Sequence, residues 1–148
     1  MNWRVLNVVL LTLGVVAVGP GADRAWAEPY YLEVSPADRS DLANLFDALE
    51  ASSAADLTTV EPIVVVLHGT EAAFFTRDNY TANKLLVDRA ALLDAQRLID
   101  VRMCETWMNA NDVRQSDLPA FIDTVPYAPE EIDRLMSEGY LLHPSVKI

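Results

Sequence analysis

Pro62-Ile63-Val64-Val65-Val66-Leu67-His68-Gly69 is the stretch that decides the fold. Ile63 to Leu67 is apolar at every position, and four of these five residues are β-branched. Such a run is short for a helix and favours extended backbone. A strand with one wet face alternates apolar and polar residues. This one does not, so both of its faces are covered, as in the middle of a parallel sheet.

Working outward, Tyr30 to Val34 reads as a preceding strand, ended by Ser35 and Pro36. Asp38 or Ser40 can cap a helix. Leu42, Leu45, Phe46 and Leu49 then form one apolar helical stripe, and residues 51–55 read as a loop. Downstream of Gly69, Glu71 to Tyr80 is irregular, and its aromatics Phe74, Phe75 and Tyr80 imply packing. A helix is expected from Thr81, with Ala82, Leu85, Leu86, Ala90 and Leu93 on one face. Leu98 to Met103 is the next strand. Ile99, Val101 and Met103 face inward there, and Asp100 and Arg102 face the other way. Cys104 follows, then a short helix from Glu105 to Asn111. Within that helix Trp107 and Met108 serve packing, while Asn109 and Asn111 face outward. Phe121 to Val125 forms a strand stopped by Pro126. A last helix has Pro129 in its first turn, Glu130 and Glu131 at its positive end, and Ile132, Leu135 and Met136 on its apolar face. Gly139 supplies a left-handed cap, and Tyr140 to Leu142 a closing edge strand. Alternating strands and helices define an α/β fold: a mainly parallel β-sheet flanked by helices on both faces.

The chain has 148 residues, of which 51% are hydrophobic, enough for a single domain with a full core. Residues 1–27 read as a Sec-type signal peptide. Arg4 precedes a nearly unbroken apolar run from Val5 to Val18, Gly19-Pro20-Gly21 breaks it, and Ala25-Trp26-Ala27 offers small residues for cleavage. The run is short for a membrane anchor. The expected mature product, residues 28–148, is one α/β domain that is periplasmic or otherwise exported, with no membrane attachment after cleavage. Cleavage removes Arg4, Arg24 and Asp23, moving the net charge from −11 to −12. That surface repels phosphate backbones and disfavours nucleic acid as a partner.

Cys104 stands alone, so no disulfide can form within the chain. A thiol left over in an exported protein signals pairing between chains, reactivity or burial. Ligands of open α/β sheets gather at the carboxyl ends of strands. His68 and Cys104 both fall at such ends, and they share an edge if their strands are neighbours. A helix start at Cys104 favours the thiolate. Arg102 would add positive charge, and Glu105 would oppose it. The alternative for Cys104 is an inert, buried thiol. His68 is either a base for the thiol or a partner of a backbone carbonyl. No metal site is expected, because Cys104, His68 and His143 lack ligand spacing, and Glu71, Asp78 and Glu105 read as solvated acids. No cofactor is implied: Gly69 stands outside any glycine-rich phosphate loop, and there is no C-x-x-C pair.

P-I-V-V-V-L-H-G (62–69), V-R-M-C-E-T-W-M (101–108), D-L-P (117–119), T-V-P-Y (124–127) and E-G-Y (138–140), in this order, resemble the DsrE-like family of sulfur-relay proteins across roughly residues 30 to 145. The resemblance implies an α/β sandwich assembled as homo-trimers or hexamers. It also implies a cysteine, matching Cys104, that carries sulfane sulfur as a persulfide between a sulfur donor and acceptor thiol proteins. Relays of this kind are mostly cytoplasmic, whereas this chain carries an export signal. Two other readings stand beside it. One is an oligomeric binding or scaffold protein with a structural thiol, using Phe74, Phe75, Trp107 and Tyr140 for subunit contacts. The other is a redox sensor that links subunits through Cys104.

Overall fold

Strand β2 (Ile63–Leu67) is buried along its whole length. It lies between β1 (Tyr30–Val34) and β3 (Ile99–Cys104), parallel to both. The computed structural model describes residues 28–34, 39–51 and 61–143. Among these, β4 (Ile122–Val125) extends the sheet beside β3, and β5 (Leu141–Leu142) closes it beside β1. The order is β4-β3-β2-β1-β5 and every pairing is parallel. The expected signal peptide (1–27) and strand end at Ser35 and Pro36 lie outside the described residues, as does the loop expected at 51–55 except Ala51, which ends α1.

The side chains of β2 alternate between two separate cores. Ile63, Val65 and Leu67 join Leu32, Ile99, Val101 and Met103 on one face. Helix α1 (Arg39–Ala51) covers that face with Leu42, Leu45, Phe46 and Leu49, and helix α2 (Tyr80–Ala95) with Leu86, Val87, Ala90 and Leu93. Val64 and Val66 join Tyr31 and Cys104 on the other face, under Ala128, Ile132 and Leu135 of helix α4 (Ala128–Ser137). Helix α3 (Glu105–Ala110) sits between β3 and β4 in sequence and sends Met108 into the first core. Crossover direction accounts for this division. From β1 to β4 the chain steps one way across the sheet, so right-handed crossovers stay on one face. The return from β4 to β5 reverses the step and puts α4 opposite. Helices therefore flank both faces, as the sequence implies.

Several details differ from expectation. Helix α2 turns Asn83, Leu86, Val87, Ala90 and Leu93 inward. Leu85 is 76% exposed, and Ala82 is exposed too. The inward place near the N-terminus goes to polar Asn83, whose Nδ2 donates to Asn79 O at 2.9 Å, so its burial leaves that donor satisfied. Met136 is half exposed, and Ala128 fills the inward place on α4 instead. Residues 70–79 are two ordered 3-10 turns, Thr70–Phe75 and Arg77–Asn79, rather than irregular chain. Phe75 is buried in the first core. Gly139 has φ +93°, and Tyr140 N donates to Leu135 O at 3.0 Å, giving the expected left-handed helix end. No helix among the described residues is long and apolar enough to cross a membrane.

Phe46 is fully enclosed, whereas Leu85 is open to solvent. Phe46→Ala is expected to lower unfolding free energy by about 3–5 kcal/mol. Leu85→Ala should change it by less than about 0.5 kcal/mol. Equilibrium urea titrations of both variants check this.

Candidate functional site

Parallel pairing brings the carboxyl ends of β2 and β3 to one edge. Leu67 is in register with Met103. Extending the register by one residue sets His68 opposite Cys104, and alternation puts both on the α4 face. After β3 the chain passes to the α1–α2 face, where Met108 and Leu118 are buried. After β4 it passes to the α4 face. Neighbouring strands thus send their connections to opposite sides, the arrangement that opens a crevice in α/β sheets. Cys104, the last residue of β3, pairs there with Val125. Two bonds tie the start of α3 to β4 and the residue after it. Thr124 Oγ1 donates to Glu105 Oε1 at 2.9 Å, and Thr106 Oγ1 donates to Pro126 O at 3.0 Å. Glu105 is therefore a hydrogen-bonded, half-buried acid rather than a freely solvated one.

The Cys104 thiol is free and only 4% of the residue is exposed. It belongs to the buried cluster of Tyr31, Val64, Val66, Ala128, Ile132 and Leu135, against which Trp107 and Tyr140 pack. It stands at the N-cap of α3, but that helix has six residues, so its dipole is that of less than two turns.

Arg102 does not lend its charge to the thiol. Its Nη2 lies 2.5 Å from Asp100 Oδ2, and its Nη1 pairs with Glu131 Oε1 of α4. Burial works against the charged guanidinium. Hydrogen bonds donated to Asp100 and Glu131 outweigh this and hold its pKa above the ordinary value. Glu131 is nearly buried and is also gripped by Arg134, at 2.9 Å and 2.7 Å. The Arg134 bonds, helped by Arg102 and opposed by burial, push its carboxyl below the ordinary value of 4.5. This network ties α4 to β3 across the top of the second core. Its partners are 29 residues apart in sequence, too distant for spacing alone to reveal.

Two further acids enter the site that sequence reasoning did not place there. Glu33 of β1 brings Oε1 to 3.2 Å from His68 Nε2. That separation is an ion-pair distance without hydrogen-bond alignment, since Nε2 is buried and makes no hydrogen bond. Glu71, expected as a solvated acid, is completely buried. Its Oε1 accepts from His68 N at 2.8 Å and Gly69 N at 2.7 Å. Two successive backbone N–H groups form a small anion cradle, and the chain fills it with its own carboxylate. A Cβ at residue 69 would lie 2.5 Å from Glu71 Oε2, so Gly69 is there to let the carboxylate approach. Its role is to shape the turn that carries His68. Asp78 is exposed, as expected, and His143 packs edge-on against Tyr30. Among the described residues, no group of three or more His, Cys, Asp or Glu side chains is placed to hold a metal ion.

No protein-family model matches the chain, and no curated protein matches it. Among solved structures, it is similar to a protein of unknown function, MTH1491, from Methanobacterium thermoautotrophicum. The identity is 22% and the TM-score 0.59, covering 77% of this chain and 94% of that one. At that identity the likeness shows the fold, a small α/β sandwich.

Because the Glu131 carboxyl is lower in the folded chain than its ordinary value, the stability it contributes is present above about pH 4.5 and lost as pH falls below it. Glu131→Gln is expected to be less stable than the parent at neutral pH, with the gap closing on acidification through that range. Urea titrations at a series of pH values check both the sign and the window.

Proposed function

We propose that the chain is an exported, periplasmic sulfur carrier of the DsrE-like type, with Cys104 as the residue that holds the sulfur. The observation that supports this best is the position of Cys104: at the carboxyl end of β3, beside β4, where the connections of the two strands part to opposite faces. A lone thiol suits carrier chemistry, because a persulfide needs no second cysteine. The Cys104 thiolate attacks the outer sulfur of a donor R–S–SH. The donor S–S bond breaks, R–S⁻ leaves with the electron pair and takes up the proton, and Cys104 becomes Cys–S–SH. An acceptor protein's thiolate then attacks that outer sulfur and releases the Cys104 thiolate. Sulfur moves with no net oxidation and no cofactor.

Burial sets a condition on this cycle. Ala128, Ile132 and Leu135 of α4 belong to the buried cluster that encloses Cys104, so a donor reaches Sγ when that cluster opens. Assembly as a homo-trimer or hexamer belongs to the same reading. Phe74, Trp107 and Tyr140, each only partly buried, are available for subunit contacts, whereas Phe75 is committed to the core.

The burial of Cys104 also favours a second reading, a non-enzymatic oligomeric binding or scaffold protein with a structural thiol. Intact-mass analysis separates the two. After incubation of native protein with polysulfide or thiosulfate, the carrier reading expects an adduct of about 32 Da, one sulfur atom, absent from Cys104→Ala. No adduct, or an equal adduct in the variant, supports the structural thiol instead.

A further inference from the structure

Three neighbouring strands present a carboxylate, an imidazole and a thiol on one face of the sheet, at one edge. Tyr31 of β1 belongs to the α4-face core, so Glu33, two residues on, shares that face. His68 follows β2 and brings Nε2 to 3.2 Å from Glu33 Oε1. Cys104 ends β3 and belongs to the same core. Adjacent strands lie about 4.8 Å apart, within side-chain reach. His68 is thus the middle member of a row that runs Glu33, His68, Cys104 across β1, β2 and β3.

We infer that Glu33 is a positioning residue for His68, and that His68 is the base that ionises Cys104. This rests on the sulfur-carrier reading and names the groups that prepare its thiol. The Glu33 charge 3.2 Å from Nε2 favours the tautomer with the proton there. Nδ1 is then the basic nitrogen left on the ring. The proton passes from Sγ to Nδ1, giving a thiolate and an imidazolium. Nε2–H stays beside Glu33, whose charge stabilises the imidazolium. The Glu71 clamp supports this from below. By holding the His68 and Gly69 amides, it fixes the backbone from which the imidazole projects.

Other charged groups around the thiol are otherwise engaged. Arg102 of β3 is shared by Asp100 and Glu131, and Glu131 of α4 is held by Arg102 and Arg134. Glu105 of α3 accepts from Thr124. Burial raises the phenol pKa of Tyr31 of β1 and of Tyr140, which follows α4. Both therefore stay neutral where a thiol titrates.

The test is the pH profile of Cys104 alkylation by iodoacetamide in the mature chain. The ratio of the rate at about pH 6.5 to that at about pH 9.5 brackets the ordinary thiol pKa of about 8.5. It cancels access, which a purely structural role would alter at both pH values alike. His68→Ala is expected to lower this ratio by at least about tenfold. Glu33→Gln should lower it several-fold, and Glu33→Asp should restore part of it. His68→Gln serves if the alanine variant does not fold. Ratios in the His68 and Glu33 variants equal to the parent's overturn the inference. If the parent and these variants also load sulfur normally, the carrier reading survives that failure. A lowered ratio in the variants, with a parent chain that takes up no sulfur, upholds the His68 assignment and overturns the carrier reading.

Discussion

Burial of β2 on both faces is the constraint from which the rest of the molecule follows. A five-residue strand with no polar side chain must be covered above and below and paired on both sides. Parallel neighbours satisfy the pairing, and parallel neighbours require crossovers. Right-handed crossovers place α1 and α2 together and α4 alone opposite. The same parallel geometry sends the carboxyl ends of β1, β2 and β3 to one edge. Glu33, His68 and Cys104 all come to that edge because the strands that carry them run the same way.

Chemistry at this edge is governed by what surrounds the thiol more than by the thiol itself. Neither Arg102 nor a long helix dipole is free to stabilise a Cys104 thiolate, because Arg102 is neutralised by two carboxylates and α3 has only six residues. What is left is the imidazole in the neighbouring strand and the roof provided by α4. Helix α4 is fastened to β3 by the Arg102–Glu131 pair.

Much of this was legible in the sequence, for identifiable reasons. The unbroken run at 63–67 could only be a central strand. The stripe Leu42, Leu45, Phe46 and Leu49 is long enough to fix the phase of α1. Asp100 and Arg102 alternate with Ile99, Val101 and Met103 and so announce a strand with one polar side. Pro129 and Gly139 mark the ends of α4 through backbone chemistry that is local. In α2 the phase was misjudged at Ala82 and Leu85, since a buried, hydrogen-bonded Asn83 defeats a rule that counts only apolar residues. Glu71 looked like one more acid of an acidic chain. Its partners are backbone amides, which leave no trace in residue identity. Glu33 and His68 are 35 positions apart and meet only through strand register, so no motif could join them.

The central claim is that Cys104 works through a local displacement of α4, in a chain that otherwise stays folded. Native-state labelling of Cys104 with a small thiol reagent, followed across a urea series below the unfolding transition, tests it most directly. Local opening exposes little surface and so responds weakly to denaturant. The account predicts a labelling rate nearly independent of urea and faster than global opening permits. A rate that rises with urea along the global unfolding line, and vanishes on extrapolation to water, would contradict it.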